Sequence, residues 1–177
     1  FEWSVNEIVD NIFIHSQSST PGIVCAQLYP NKKRLDIGVY DSGIGVRKSL
    51  SGAFELDDDT EAIKKAIKRG VTRDKDIGQG NGMAGSLEIL QQNGGDFTVW
   101  TGSATCSMLS GKELLHTIAN SEIIRGTGVE MSFNLDHPVE LVKTWIGEES
   151  WTYIDAEAER IAEEGIVIKD VCSHTTS

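Results

Sequence analysis

The chain has 177 residues, the length of one ordinary domain, and its apolar fraction of 39% is typical of a globular protein with a full-sized core. Its formal net charge of −11 argues against a general nucleic-acid-binding surface, because the phosphate backbone would be repelled. The apolar runs are far shorter than the ~20 residues that a bilayer requires, so we expect no membrane span within this sequence.

The first part of the chain is predicted to form a helix followed by a β-hairpin. An amphipathic helix is predicted over Trp3–His15, where apolar residues recur at about 100° of rotation per residue. Two β-rich runs, Ile23–Tyr29 and Arg34–Tyr40, are separated by the turn Pro30–Lys32, which is typical of an antiparallel hairpin. The Gly- and Ser-rich segment Asp41–Phe54 is predicted to be a loop.

Two further helices are predicted in the middle of the chain. The segment Asp57–Lys68 has acidic residues at its start and basic residues near its end, an order that suits the helix dipole. A loop over Gly70–Gly80 follows. The next helix, Gly82–Gln92, is amphipathic, and the sequence Asn93-Gly94-Gly95 predicts where it stops.

Strands are predicted to dominate the next part of the chain. They are expected at Phe97–Thr101, Ala104–Leu109 and Val129–Leu135, whereas residues 113–122 fit either a strand or a short helix. The order of helices and strands indicates a two-layer sandwich with a largely antiparallel sheet rather than a doubly wound parallel one.

The boundaries of the chain suggest one domain and an extension. We expect residues 1–135 to form the domain and residues 136–177 to be a C-terminal extension that leads into a further domain. Because the sequence begins at Phe1, without an initiator Met and already within a helix, we expect the domain to be truncated at its N-terminus.

The first helix carries a strip of polar residues. Glu7, Asn11 and His15 are four residues apart and sweep only ~80° of the helix surface, next to its apolar face. The carboxylate can act as a general base on water, the Asn oxygen suits Mg²⁺, and the His can donate to a phosphate oxygen. Taken alone, such a strip is more often a solvated helix face.

A glycine-rich loop directly follows the second strand of the hairpin, with the sequence Asp41-Ser42-Gly43-Ile44-Gly45. The strand delivers Asp41 to the edge of the sheet, and Gly43 and Gly45 permit close backbone approach and positive φ. A buried carboxylate there could accept a hydrogen bond from an exocyclic amino group such as that of adenine. A plain glycine turn at the end of a strand is the alternative.

Two further glycine motifs fit the same ligand. The string Gly78-Gln79-Gly80-Asn81-Gly82 precedes a helix, where free backbone N–H groups and the positive end of the helix dipole can bind phosphates. It is not a dinucleotide fingerprint, since no strand directly precedes it. Gly126-Thr127-Gly128 enters a later strand, and the Thr127 hydroxyl could bond a base edge, although an ordinary turn explains it equally well.

The order of these four motifs resembles that of the GHKL superfamily of histidine-kinase-like ATPases. Asn6–His15 resembles its N box, Asp41–Gly45 its G1 box and Gly78–Gly82 its G2 box, with Gly126–Gly128 as its last glycine turn. The resemblance covers residues 1–135. It implies the Bergerat fold, an α+β two-layer sandwich whose mixed, largely antiparallel sheet has helices packed on one face.

The resemblance also implies a role for each site residue. Glu7 would be the catalytic base, Asn11 would coordinate Mg²⁺, and Asp41 would bind the adenine amino group. The remaining expected nucleotide contacts are His15, Gly43, Gly45, Arg73, Lys75, Gly78, Gly80, Gly82 and Thr127. Arg73 and Lys75 are assigned by charge alone, within an expected ATP lid over Val46–Ile77.

The sequence therefore predicts an ATP- and Mg²⁺-binding domain of a histidine-kinase-like regulatory or signalling ATPase. It would hydrolyse ATP slowly or transfer the phosphoryl group to a protein, and His15 moves the match toward the histidine-kinase and anti-sigma-factor branches. A nucleotide-gated interaction module with little turnover is the alternative, and a degenerate domain that binds no nucleotide is a third. The expected partners are ATP or ADP, a protein partner or phosphoacceptor, and a second copy of the chain. The three scattered cysteines favour reduced thiols and a cytoplasmic location.

Overall fold

The computed structural model describes residues 2–68, 70–71, 82–112 and 116–139. The chain forms two compact units, with the boundary between Val139 and Glu140. All of the described residues lie in the first unit. The predicted boundary after residue 135 stays a prediction, and residues 140–177 lie outside the described part. In that part no helix is both long enough and apolar enough to cross a bilayer.

In the part of the chain that the structure describes, a four-stranded sheet forms the centre of the domain. Its strands are β1 (Ile23–Tyr29), β2 (Arg34–Asp41), β3 (Asp96–Met108) and β4 (His116–Asn134). The spatial order is β1-β2-β4-β3, and each of these neighbouring pairs is antiparallel. Residues 116–122 belong to β4, so the strand interpretation of that ambiguous region is correct for them.

The hairpin between β1 and β2 has the predicted turn. Pro30–Lys32 forms a single 3₁₀ turn, which Lys33 ends in the left-handed conformation at φ +49°. The Lys33 N–H donates to the carbonyl oxygen of Pro30 at 3.2 Å. This closes the turn in the register that pairs Tyr29 with Arg34.

The segment β3 doubles back on itself at Gly102. Thr98 Oγ1 donates to Ser107 Oγ at 3.1 Å, although nine extended residues would span about 30 Å. The pairing with β4 is irregular between Thr101 and Ala104, and Gly102 has a φ of +55°. This explains why the sequence shows two separate β-rich runs with a break between them.

Within the described ranges, four α-helices accompany the sheet: α1 (Glu2–His15), α2 (Gly45–Leu50), α3 (Asp59–Ala66) and α4 (Gly82–Asn93). All four contact sheet strands, and α1 also packs against α4. They cover two rows of buried side chains that run across β2, β4 and β3. Burial of each such side chain stabilises the fold by about 1.5–3 kcal/mol. The rows are Val39, Val129 and Val99, and Ile37, Met131 and Phe97. The predicted α+β sandwich with a largely antiparallel sheet is confirmed.

The predicted loop over Asp41–Phe54 is wrong in its middle, because Gly45–Leu50 forms α2. Val46 and Leu50 are four residues apart, so a short helix places both on one face. That face is buried against Ala62 of α3. Phe54 and Leu56 pack on the same cluster. The described part of the segment expected to be a lid is thus a pair of packed helices up to Ala66.

Local capping determines where α3 begins. The Asp58 carboxylate accepts from the Glu61 N–H at 2.7 Å, and Glu61 in turn accepts from the Asp57 N–H at 2.7 Å. The first helical residue, Asp59, accepts from both the N–H and the hydroxyl of Ser103, at 2.8 and 2.9 Å. A Cβ on Gly102 would overlap the Asp59 carboxylate. The turn of β3 therefore anchors the start of α3.

Candidate functional site

Three polar side chains lie in a row across three neighbouring strands, level with the end of β2. Asp41 at the end of β2 pairs with Thr127 of β4, and Thr127 pairs with Thr101 of β3. Two residues away along each strand lies one of the buried valines of the helix-facing side. Because side chains alternate between the two faces of a sheet, the three polar residues share that face. Asp41 and Thr101 are only 6% and 1% exposed, and Thr127 is half-buried.

The Asp41 carboxylate is buried but keeps hydrogen-bonding capacity. Its Oδ1 accepts the Gly43 N–H at 2.8 Å, and the carboxylate also accepts the Thr127 N–H. Burial raises the pKa of Asp41 above its ordinary value, and these two backbone bonds partly offset that rise. An ionised carboxylate can accept about four hydrogen bonds, so acceptor sites remain for the amino group of a ligand.

The loop after Asp41 is held against the end of α1. The Ile44 N–H donates to the carbonyl oxygen of Ser16 at 2.8 Å, one residue past the end of the helix. A Cβ on Gly43 would overlap that same carbonyl group. Gly45 has a φ of +75°, which disfavours any other residue. The glycines at positions 43 and 45 are therefore required by contact and by conformation, respectively.

The glycines on either side of Thr127 are required as well. Gly126 has a φ of +81°, and a Cβ there would overlap the backbone carbonyl of Asp41. A Cβ on Gly128 would overlap the indole ring of Trp100 on β3. The motif that an ordinary turn explained equally well thus brings β4 into close contact with the backbone of Asp41.

The polar strip of α1 lies against the start of α4. A Cβ on Gly82 would lie 2.8 Å from Oε2 of Glu7 and 3.7 Å from Nδ2 of Asn11. Burial and, to a lesser extent, the negative charge of Asp10 raise the pKa of Glu7. Glu7 lies nine residues before Ser16, which corresponds to about 13 Å along a helix. The helix therefore connects the Asp41 loop to the start of α4 over a distance comparable to the length of a nucleoside triphosphate.

The predicted site residues that the structure describes form two groups. Asp41, Gly43, Gly45 and Thr127 form one group, and Glu7, Asn11 and Gly82 form a second group along α1. His15 is half-buried at the end of α1, next to Ser16. Arg73, Lys75, Gly78 and Gly80 lie outside the described residues.

Sequence reasoning missed two residues that shape the site. Ser16 supplies the carbonyl oxygen that holds the Asp41 loop, and Thr101 completes the polar row. Thr101 lies in an alternating strand pattern that leads into a glycine, so its burial was predictable, but its neighbours on β2 and β4 were not.

The polar strip of α1 offers an oxygen donor that suits Mg²⁺. In the described ranges, no three His, Cys, Asp or Glu side chains converge as a ready-made metal site. Mg²⁺ usually keeps several waters and takes one or two protein oxygens plus substrate phosphates, so the single amide oxygen of Asn11 fits this ion.

Comparisons with known proteins return structures only. No protein-family model matches the sequence, and no curated protein matches it. The ATPase region of Saccharomyces cerevisiae topoisomerase II is similar to 75% of this chain, with 12% identity and a TM-score of 0.41. The same region bound to ICRF-187 (dexrazoxane) is similar to 94% of it, with 10% identity and a TM-score of 0.44. The chain spans 36% and 43% of the lengths of these two structures.

Proposed function

We propose that this chain is an ATP- and Mg²⁺-binding domain of the GHKL type. Adenine would lie at Asp41 and Thr127, and the phosphates would extend along α1 toward Asn11 and Gly82. The observation that carries the proposal is the buried Asp41 carboxylate, which has spare acceptor capacity and belongs to the residue paired with Thr127 in the sheet. Burying an ionisable group of this kind destabilises the fold, and such groups are concentrated at functional sites. A hydrogen bond from a ligand amino group would explain why the carboxylate is buried here.

Each end of the site has a distinct chemical task in this proposal. Asp41 accepts the hydrogen bond of the adenine amino group, and Gly43 and Gly45 let the loop approach the base. Asn11 would hold Mg²⁺, which would neutralise phosphate charge during the reaction. Among the remaining contacts assigned to the phosphates are His15, Arg73, Lys75, Gly78, Gly80 and Gly82.

Glu7 is the proposed general base for hydrolysis. It is half-buried beside the first residue of α4, and its raised pKa brings a carboxylate closer to the range in which it exchanges protons efficiently. It would accept a proton from the attacking water. Transfer to a protein phosphoacceptor, a regulatory or signalling role, a cytoplasmic location and assembly as a homodimer are further parts of this proposal that rest on the resemblance of the motifs.

Calorimetric titration of the chain with ATP in the presence of Mg²⁺ tests the proposal. The wild type should bind, and Asp41→Asn should weaken binding about 10- to 100-fold, the usual effect of losing a hydrogen bond to a charged group. Asp136→Asn removes the same charge from an exposed residue that follows the far end of β4, and it should leave affinity unchanged.

Two outcomes would contradict the proposal at different levels. A wild type that shows no binding at millimolar ATP would refute the nucleotide site altogether. Binding that survives Asp41→Asn unchanged would refute the assignment of Asp41 to adenine.

A further inference from the structure

We propose that Thr101 is a positioning residue that sets the selectivity of the site for adenine. The proposal rests on the proposed function, because it concerns how Asp41 and Thr127 are held for base recognition. Thr101 is 1% exposed, so a ligand that enters from solvent cannot contact its hydroxyl. Its effect must therefore be transmitted through the groups that it binds.

The Thr101 hydroxyl links the start of α2, which follows the Asp41 loop, to the part of β4 that carries Thr127. Its Oγ1 donates to the carbonyl oxygen of Gly126 at 2.7 Å and accepts the N–H of Val46 at 3.1 Å. A hydroxyl has one donor and can accept as well, so one side chain satisfies a buried acceptor and a buried donor together. Val46 follows the Asp41 loop, and Gly126 precedes Thr127.

These bonds close a ring around the base end of the site. From Asp41 the ring passes through the Gly43 N–H to the loop backbone, then from the Val46 N–H to Thr101. It continues from Thr101 to the Gly126 carbonyl, and the Thr127 N–H returns it to the Asp41 carboxylate. Removing the Thr101 hydroxyl would open the ring while leaving the Asp41 carboxylate and the Thr127 side chain intact.

Steric contacts show that the ring is tightly packed around Thr101. A Cβ on Gly45 would lie 2.9 Å from Oγ1 of Thr101 and 3.4 Å from the carbonyl oxygen of Gly126. The loop backbone at Gly45 thus rests directly on the hydroxyl that orders it. Thr101→Val keeps the volume of the side chain but replaces the hydroxyl with a methyl group. The Val46 N–H and the Gly126 carbonyl would then lose this partner, so the two segments that carry them could shift.

The test compares Thr101→Val with Thr101→Ser, using ATP and inosine triphosphate as probes. Inosine triphosphate carries an oxygen where adenine has its amino group, so the ratio of the two affinities measures base reading alone. Thr101→Val should lower ATP affinity about tenfold and inosine triphosphate affinity by less than about threefold. Thr101→Ser keeps the hydroxyl and should restore the wild-type ratio.

Thr98→Val is the matched control. Thr98 lies three residues earlier in β3, on the opposite face, and its hydroxyl bonds Ser107 rather than a loop of the site. The control should change thermal stability without changing the ratio of the two affinities. If Thr101→Val does not fold, Thr101→Cys retains a weaker donor and should show a partial loss of selectivity.

The outcomes separate this inference from the proposed function. Equal losses for both nucleotides, or a Thr101→Ser variant that does not recover the ratio, would overturn the positioning role. So would a folded Thr101→Val or Thr101→Cys with wild-type selectivity, while Asp41→Asn still loses ATP. Absence of ATP binding to the wild type would instead refute the nucleotide site itself.

Discussion

The two ends of the candidate site are built from different kinds of contact. At the base end, formed by Asp41, Gly43, Gly126 and Thr127, a Cβ on either glycine would overlap a backbone carbonyl group. At the helix end, formed by Glu7, Asn11 and Gly82, a Cβ on Gly82 would first meet the terminal oxygen of a side chain, at 2.8 Å. One end is defined by backbone against backbone, and the other by side chains against a helix start.

This difference separates a preformed region from an adaptable one. Backbone atoms inside a packed sheet cannot yield without shifting their strands, so the base end has its binding geometry before a ligand arrives. The end of a Glu or Asn side chain can change rotamer at small cost. We therefore expect the base end to determine which nucleotide binds, and the helix end to adjust to the phosphates and to the metal ion.

The largest expected effect follows from breaking the base end with Gly126→Ala. The new Cβ would overlap the Asp41 carbonyl, and a φ of +81° is strained for alanine, so we expect a loss of about 3 kcal/mol in unfolding free energy. Chemical denaturation followed by circular dichroism measures this loss. ATP binding should disappear together with the native fold or with the register between β2 and β4.

Two alanine variants calibrate that result. Gly52→Ala introduces a Cβ with no heavy atom within 4 Å and should change stability by less than about 0.5 kcal/mol. Gly82→Ala should fall between the two, because its Cβ would meet the Glu7 side chain, at 2.8 Å from Oε2 and 3.3 Å from Cβ, rather than backbone atoms. Equal losses for Gly82→Ala and Gly126→Ala would remove the distinction between the two ends.

The second expected effect concerns chemistry at the helix end. Glu7→Gln removes the proposed base while keeping the size of the side chain, so phosphate release should fall about 100-fold or more with ATP affinity nearly unchanged. A coupled phosphate-release assay at saturating ATP measures it. Because the Glu7 pKa is raised, the wild-type rate should also decline as the pH falls toward that raised value.

Failure of the Glu7 prediction has a specific meaning. Turnover that survives the substitution would show that another group accepts the proton. A wild type that binds ATP tightly but releases no phosphate would favour the nucleotide-gated interaction module over the hydrolase.

The sequence predicted those parts of the site that depend on local pattern. Asp41 was recognised because it ends a β-rich run and is followed by two glycines, and both signals lie within five residues. The hairpin and α3 were predicted for the same reason, since turn and capping residues act on their immediate neighbours.

The features that the sequence did not predict depend on distant residues. The helix α2 begins at a glycine and has only six residues, and its stability comes from the packing of Val46 and Leu50 on Ala62. Thr101 acquires its role from a register that aligns it with residues 26 and 60 positions away, Thr127 and Asp41. A single sequence contains no local signal for such an alignment, because strand pairing is decided by the whole sheet.

The smallest expected effect tests the electrostatics of the base end. Because burial raises the pKa of Asp41, its contribution to stability is fully present below the ordinary carboxyl pKa and is lost as the pH rises through the raised value. Asp41→Asn cannot ionise, so its Tm relative to wild type should rise with pH by a few degrees, roughly 2–4 °C. Thermal denaturation of both proteins between pH 3 and pH 7 measures the trend.

Asp36→Asn provides a control of opposite sign on the same strand. Burial acts to raise the pKa of Asp36, but hydrogen bonds from Arg34 and Ser132 outweigh it, and the pKa is lowered overall. The stability from this carboxylate is therefore present above its ordinary pKa and lost on acidification, so the Asn variant should fall behind wild type as the pH rises. If Asp41→Asn also fell behind with rising pH, the Asp41 carboxylate would be stabilised in its ionised form. Burial of the Asp41 carboxylate would then not destabilise the fold, which contradicts our explanation of why it is buried.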